Sequence, residues 1–156
     1  MLVFQCRGGG WAAFDWDVTD RWLEDVPCAD HSAVLDPECS DLTARVLELL
    51  SMLHFDPRDP RDPRVMRALR YLQRSQEADG SWYGRWGVNV IYGTWQALRG
   101  LAILGYDMRE PWLLRARDWL ETCQNEDGSW GRPPGPIKTP PSVARGPAPL
   151  RRRRGR

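Results

Sequence analysis

No apolar run in this 156-residue sequence approaches the length of a bilayer, and its mean hydropathy is −0.56, so no transmembrane helix is expected. Met1-Leu2-Val3-Phe4-Gln5-Cys6 has neither a basic start nor an apolar stretch long enough for a signal peptide. A cytoplasmic location is the expectation. Cysteine is sparse: Cys6, Cys28, Cys39 and Cys123 show neither CxxC spacing nor disulfide density, and read as reduced thiols. With only His31 and His54 to help them, no metal site is expected. His31, His54 and Asp15 invite an acid/base role, but lone histidines beside acidic loops are more often structural or solvated. An alternating strand pattern is also missing, which leaves an all-α fold.

Acid is missing from one end. Residues 131–156 carry seven Arg, one Lys and no Asp or Glu, while the first 130 carry 14 basic and 21 acidic groups. The near-neutral total of +1 therefore hides two segments of opposite sign. The basic end also holds seven of the 13 Pro and no aromatic residue, too little apolar area to offset the entropy of ordering it. The division expected is a folded unit over 1–131 and a disordered Pro/Arg-rich tail over 132–156. All nine Trp lie in the folded unit, a heavy load of flat, polarizable surface.

Two segments repeat at an offset of 48 residues: Arg67 to Trp82 and Arg115 to Trp130. Both read basic, Ala, two variable, aromatic, Leu, three variable, Gln, three variable, Gly, one variable, Trp. Gln5 to Trp11 is a third, partial copy. Such a period marks one supersecondary unit used several times. The units read as helix pairs. Ser40 is placed to cap a helix with the stripe Leu42, Val46, Leu49, Leu50 and Leu53. Asp62 and Pro63 read as N-cap and first-turn proline of a second, carrying Val65, Leu69 and Leu72. A third stripe, Ile91, Trp95, Leu98 and Ala102, stops near Gly105. Pro111 opens a fourth, with Leu113, Ala116 and Leu120. Phe55 to Arg64, with three Asp-Pro steps, reads as a polar connector.

Each unit ends in one device: a glutamine, a glycine turn and a tryptophan. The pairs are Gln5–Trp11, Gln76–Trp82 and Gln124–Trp130. Glycine supplies the positive φ the turn needs. The indole is expected to fold over the glutamine, whose amide would bond free backbone groups at a helix end. These residues read as structural clamps.

The Gln-x3-Gly-x-Trp repeat resembles the QW motif of the squalene–hopene and oxidosqualene cyclases. The run Asp79-Gly80-Ser81-Trp82-Tyr83-Gly84-Arg85-Trp86-Gly87-Val88-Asn89-Val90-Ile91-Tyr92-Gly93-Thr94 is similar to the squalene–hopene cyclase signature almost letter for letter. Gly9 to Asp15, Pro37 and Asp41 to Arg45 follow in family order. The resemblance implies part of an α/α barrel built of helix-pair repeats, from the C-terminal, catalytic half. It implies proton-initiated polycyclisation of squalene or a similar isoprenoid to a hopene-type product, with no cofactor. Phe14, Trp86 and Tyr92 match cavity positions, for which ordinary core packing is the alternative. Asp41 and Arg45 match a pair in the hydrogen-bond network behind the catalytic acid, with an i,i+4 surface ion pair as the alternative. Many family members have His where Arg45 stands.

The family's Asp-x-Asp-Asp acid is not in this sequence; Asp15-Trp16-Asp17-Val18 is the nearest text and aligns elsewhere. The resemblance thus implies a fragment, inactive alone, with portions missing on both sides. Full-length relatives suggest peripheral contact with one membrane leaflet. Two other classes stay open: a module binding an isoprenoid or sugar without reacting, and a subunit completed by a separate chain. A prenyltransferase β subunit would need a zinc set this sequence lacks. The tail reads either as a basic arm or, favoured by its Pro, Arg, Gly and Ala, as out-of-frame translation of a GC-rich gene; no nucleic-acid partner is expected.

Overall fold

The computed structural model describes residues 4–14, 16–17, 37–53, 62–86 and 89–130. The tail expected over 132–156, residues 55–61 of the connector expected from Phe55 to Arg64, and Asp15, Cys28, His31 and His54 lie outside the described residues. Within them the chain forms four helices and no strand: α1 (Ser40–Met52), α2 (Pro63–Arg74), α3 (Asn89–Ile103) and α4 (Pro111–Cys123). Helices α1 and α3 pack side by side, α2 lies on α1 and α4 on α3. The all-α expectation and the helix-pair repeat both hold.

Local chemistry sets most of the helix ends. The Asp62 carboxylate accepts the Arg64 N–H at 3.0 Å, capping α2, and Pro63 fills the first turn. Helix α3 stops where expected. Gly105 takes φ +79, and the Tyr106 N–H reaches the Leu101 carbonyl at 3.0 Å, closing a Schellman turn. Pro111 opens α4 behind Glu110. Ser40, however, caps nothing. It is the first helical residue, its hydroxyl lies 3.1 Å from that of Ser75, and the extended residue before α1 is Cys39. The Cys39 N–H bonds the Trp11 carbonyl at 3.1 Å, so the bridge to the Trp11 loop fixes where α1 begins.

Two of the expected stripes are displaced around their helices. On α1, Val46 and Leu50 are buried, but so are Thr43, Ala44 and Leu47, while Leu49 and Leu53 are exposed. On α3 the buried set is Gly93, Thr94, Gln96, Ala97, Gly100 and Leu101, with Leu104 buried just past its end. Ile91 and Leu98 are only half-buried there, and Trp95 and Ala102 are exposed. The cause is close helix–helix approach. A Cβ on Gly100 would sit 2.4 Å from the Ala44 carbonyl oxygen, so small residues face each other. The larger apolar side chains are turned to another flank. The stripes on α2 and α4 stand: Val65, Leu69, Leu72, Leu113 and Ala116 are buried, with Leu120 half-buried.

The core joins both layers through Trp11, Leu47, Leu50, Leu72, Trp82, Leu101, Trp112 and Leu113. The Trp82 and Trp112 rings meet edge-on, with centroids 5.8 Å apart. Cys6, Cys39 and Cys123 form no disulfide, and burial pushes the Cys6 thiol up.

The clamps differ in detail from the expectation. Gln76 Nε2 donates to the Gly80 carbonyl in its own turn (2.8 Å) and to the Trp112 carbonyl in the first turn of α4 (2.7 Å). Gln5 does the same to Gly9 (2.7 Å) and to Arg64 in the first turn of α2 (2.8 Å). The amide therefore grips the start of the next α2-type helix rather than a free helix end. The free end is served by the indole: Trp82 Nε1 donates to the Leu72 carbonyl near the end of α2 at 2.8 Å.

Candidate functional site

The loop after Trp82 places the first site residue. Asp79 accepts the Ser81 N–H at 3.0 Å and its hydroxyl at 2.6 Å, which holds the turn around Gly80 at φ +96. Burial opposes these bonds, yet the Asp79 carboxyl sits below its usual range because Ser81 donates to it twice. The chain then runs so close to α3 that a Cβ on Gly93 would meet the Trp82 carbonyl oxygen at 2.4 Å and the Gly84 nitrogen at 2.5 Å. Pressed there, the loop carries the Trp86 backbone to the start of α1. Its N–H donates to Asp41 Oδ2 at 3.0 Å.

Asp41 is 1% exposed and lies in the first turn of α1, where the helix dipole favours a negative charge. Its second oxygen, Oδ1, is buried with no hydrogen-bond partner among the described residues. The Trp86 ring is 47% exposed and stands edge-to-face with Phe14, itself 76% exposed, with centroids 5.5 Å apart. Neither ring is core packing. Phe14 arrives from the other clamp, three residues after buried Trp11. The two clamps thus bring together aromatic residues 72 positions apart in the sequence.

One helical turn along α1, Arg45 Nη2 donates to the Tyr92 hydroxyl at 3.1 Å. That bond is the main reason the Arg45 guanidinium is held above its ordinary value. No ion pair joins Asp41 to Arg45 among the described residues, because Asp41 is buried while Arg45 reaches across to α3. Since the Tyr92 oxygen accepts from arginine, its own O–H remains available to donate. Tyr92 leans on Trp95 at 6.1 Å. The face of Trp95 is not available in the same way: Arg99 stacks 5.5 Å from its centroid while pairing with Glu48 at 3.0 Å.

All five residues singled out as catalytic or substrate-binding therefore fall into two linked groups: Asp41–Trp86–Phe14 and Arg45–Tyr92. The groups share one face of the first two turns of α1. Chemically they offer two exposed aromatic rings, a buried carboxylate fixed by a backbone N–H, and a phenol oriented by a guanidinium. Among the described residues no group of three His, Cys, Asp or Glu side chains could hold a metal ion, and no helix is long and apolar enough to cross a membrane.

Sequence reasoning missed the supporting residues. Thr43 and Thr94 are both fully buried, and their hydroxyls accept the backbone N–H of Trp11 (3.0 Å) and Trp82 (2.9 Å). Each hydroxyl also donates to the carbonyl four residues back, Cys39 and Val90. The two Trp–Thr separations are 32 and 12 residues, so no fixed spacing betrays the pair. Arg67 and Arg115 hold the clamp glutamines by Oε1, at 2.5 and 3.0 Å. Their signal was visible, as the basic residue that opens each copy of the repeat.

The family described as squalene–hopene cyclase C-terminal domain matches residues 1–148, past the boundary expected at residue 131. A probable squalene–hopene cyclase of Sinorhizobium fredii is 45% identical over 104 residues, which cover 66% of this chain and 16% of that protein. The squalene–hopene cyclase of Schizosaccharomyces japonicus is 44% identical over 99 residues, covering 63% of this chain and 14% of its own. A dammaradiene synthase of Dryopteris crassirhizoma is 41% identical over 110 residues, covering 64% and 16%. The matches thus span only 14 to 16% of the length of these relatives.

Proposed function

The chain belongs to the squalene–hopene cyclase C-terminal domain family, and from that premise we propose that it forms part of an enzyme that closes squalene, or a similar linear isoprenoid, into a hopene-type polycycle. In such a reaction a proton adds to a terminal alkene carbon and leaves a carbocation. Successive alkenes attack it, and each ring closure moves the positive carbon along the chain. Loss of a proton or capture of water ends the sequence. The protein must keep water out, hold the polyene folded, and present electron density without a nucleophile that would trap the cation.

The observation that carries this reading is the edge-to-face pair of Phe14 and Trp86 beside the buried Asp41 carboxylate, with Tyr92 oriented one turn away. Aromatic faces attract a desolvated cation by about 2 kcal/mol each. The bond from Trp86 N–H to Asp41 fixes where the indole stands. The Arg45 guanidinium keeps the phenol of Tyr92 in one orientation; lysine there could not reproduce its planar fork. Starting the reaction needs a strong acid. The family's Asp-x-Asp-Asp is not among these 156 residues, so the proton is supplied from outside them, and the chain alone is inactive. As its substrate is a lipid, the complete enzyme works against the inner face of a membrane.

Titration with a tertiary-amine analogue of squalene, in which a protonated nitrogen replaces the cationic carbon, tests the site without requiring turnover. Followed by tryptophan fluorescence, the amine is expected to bind at least about tenfold more tightly than squalene, which corresponds to ~1.4 kcal/mol. Trp86→Leu is expected to abolish that preference while leaving the thermal transition in place, since the ring is half exposed. Equal binding of amine and hydrocarbon would remove the cation-holding role. Incubation with squalene is expected to release no hopene, and its appearance would overturn the inactivity of the isolated chain.

A further inference from the structure

Helices α1 and α3 run in the same direction, so each turn of α1 meets a matching part of the α3 segment. Asp41 accepts the Trp86 N–H, Arg45 donates to the Tyr92 hydroxyl, Glu48 accepts from Arg99 at 3.0 Å, and the Ser51 hydroxyl donates to the Ile103 carbonyl. Tyr92, Trp95 and Arg99 fall on one stripe of α3. Tyr92 leans on Trp95, and the Arg99 guanidinium carbon stands 5.5 Å from the Trp95 ring centroid. The second Glu48 oxygen lies 3.4 Å from Nε2 of buried Gln96. The order along this face is therefore carboxylate, indole, phenol, indole, guanidinium.

Trp95 is half exposed, like Trp86. An indole attracts a cation to either side of its plane, but one side of Trp95 already holds a guanidinium. A positive carbon on the other side would stand about 10 Å from that charge, near enough in a water-poor site for repulsion to offset much of the attraction of the ring. Glu48 pairs with Arg99, yet the guanidinium is the group that lies over the ring. We propose that Arg99 is a specificity-determining residue of the candidate site: it withholds Trp95 from positive carbon, so a cation is held at Trp86 and Tyr92 and its travel along α3 stops there. An uncharged stretch of the polyene can still lie against Trp95. The inference rests on the cation-holding reading of the site and names where that surface ends.

The probe is N,N-dimethylfarnesylamine, an isoprenoid amine protonated at neutral pH, titrated into the full chain carrying fluorotryptophan. Fluorine NMR reads each indole separately, and Trp86→Phe and Trp95→Phe assign the two signals. In the unsubstituted chain the amine is expected to shift Trp86 saturably and Trp95 little. In the double variant Glu48→Gln, Arg99→Gln the Trp95 shift is expected to grow at least about threefold. Both partners are replaced because a lone Glu48 carboxylate would itself draw the amine, and circular dichroism checks that the variant is folded. The uncharged hydrocarbon of the same shape is expected to act on Trp95 alike in both chains. A Trp95 that answers the amine as strongly as Trp86 in the unsubstituted chain would overturn the proposal without recourse to the variant. So would a Trp95 still silent in the folded double variant, or one opened equally to the hydrocarbon, which would make Arg99 a steric cover. A silent Trp86 beside a Trp95 that opens only in the variant would uphold the role of Arg99 and remove Trp86 from the proposed site.

Discussion

Trp82→Ala is expected to cost about 3–5 kcal/mol, the range for emptying a buried tryptophan site. The indole is fully buried, packs edge-on against Trp112, and donates to the Leu72 carbonyl. Its loss would open a cavity between the layers and leave a helix-end carbonyl without its donor. A domain of this size has roughly 5–15 kcal/mol in hand, so much of that margin goes. Trp82→Phe separates the two effects: most of the volume stays and only the hydrogen bond is lost, at about 1–3 kcal/mol. Trp130→Ala is the matching control. That residue ends an identical sequence device yet is half exposed, and its replacement is expected to stay within about 0.5 kcal/mol. Urea unfolding followed by far-ultraviolet circular dichroism measures all three. Equal losses at Trp82 and Trp130 would mean that the clamps act by local turn chemistry and not by joining helices.

The second large effect is expected at Gly100. Helix propensity alone makes alanine better than glycine in a helix interior by about 1 kcal/mol. Here a Cβ would stand 2.4 Å from the Ala44 carbonyl oxygen and 3.0 Å from its carbon, and both are backbone atoms that cannot turn away. Helix α3 must then move off α1, and overpacking of this kind costs about 1–3 kcal/mol or more. Gly100→Ala is therefore expected to destabilise despite its better propensity, and Gly100→Val more severely. Gly105 gives the contrast. Nothing lies within 4 Å of a Cβ there, but φ is +79, so Gly105→Ala should lose about 1–2 kcal/mol through the backbone alone. The same unfolding experiment distinguishes them. A stabilising Gly100→Ala would show that α1 and α3 do not approach as closely as described.

The stripes on α1 and α3 mark where sequence reading stops. Periodicity finds large apolar residues at helical spacing, and on α3 it found Ile91, Trp95, Leu98 and Ala102. Helix α1 selects a different face, where Gly100 permits close approach to Ala44, while Gly93 admits the loop after Trp82. No single-helix pattern encodes that choice, because it belongs to the partner. Where the signal is local it was legible: the Asp62–Pro63 start, the Pro111 start and the glycine stop at Gly105. Ser40 misled for the same reason. The residue type suits a cap, but a long-range bond from Cys39 to Trp11 sets the boundary.

The candidate site was legible by residue type and not by contact. Phe14, Trp86, Tyr92, Asp41 and Arg45 were all singled out, yet nothing in their spacing places the Trp86 backbone on Asp41 or Phe14 on the Trp86 ring. Those contacts depend on two loops of different length, each docked by a threonine hydroxyl. The i,i+4 spacing of Asp41 and Arg45 even suggested a pair that does not form. Burial separates them: one carboxylate oxygen is bound to the loop, and the guanidinium is spent on Tyr92.

Photolabelling addresses the central claim most directly, that an isoprenoid lies against Phe14, Trp86 and Tyr92. A squalene analogue carrying a diazirine, irradiated with the purified chain and mapped by peptide mass spectrometry, is expected to mark these three residues or their immediate neighbours, with excess unlabelled amine analogue suppressing the adducts. Adducts confined to α4 and Trp130, or spread without competition over the exposed apolar flank at Leu49, Leu53 and Ile103, would contradict it.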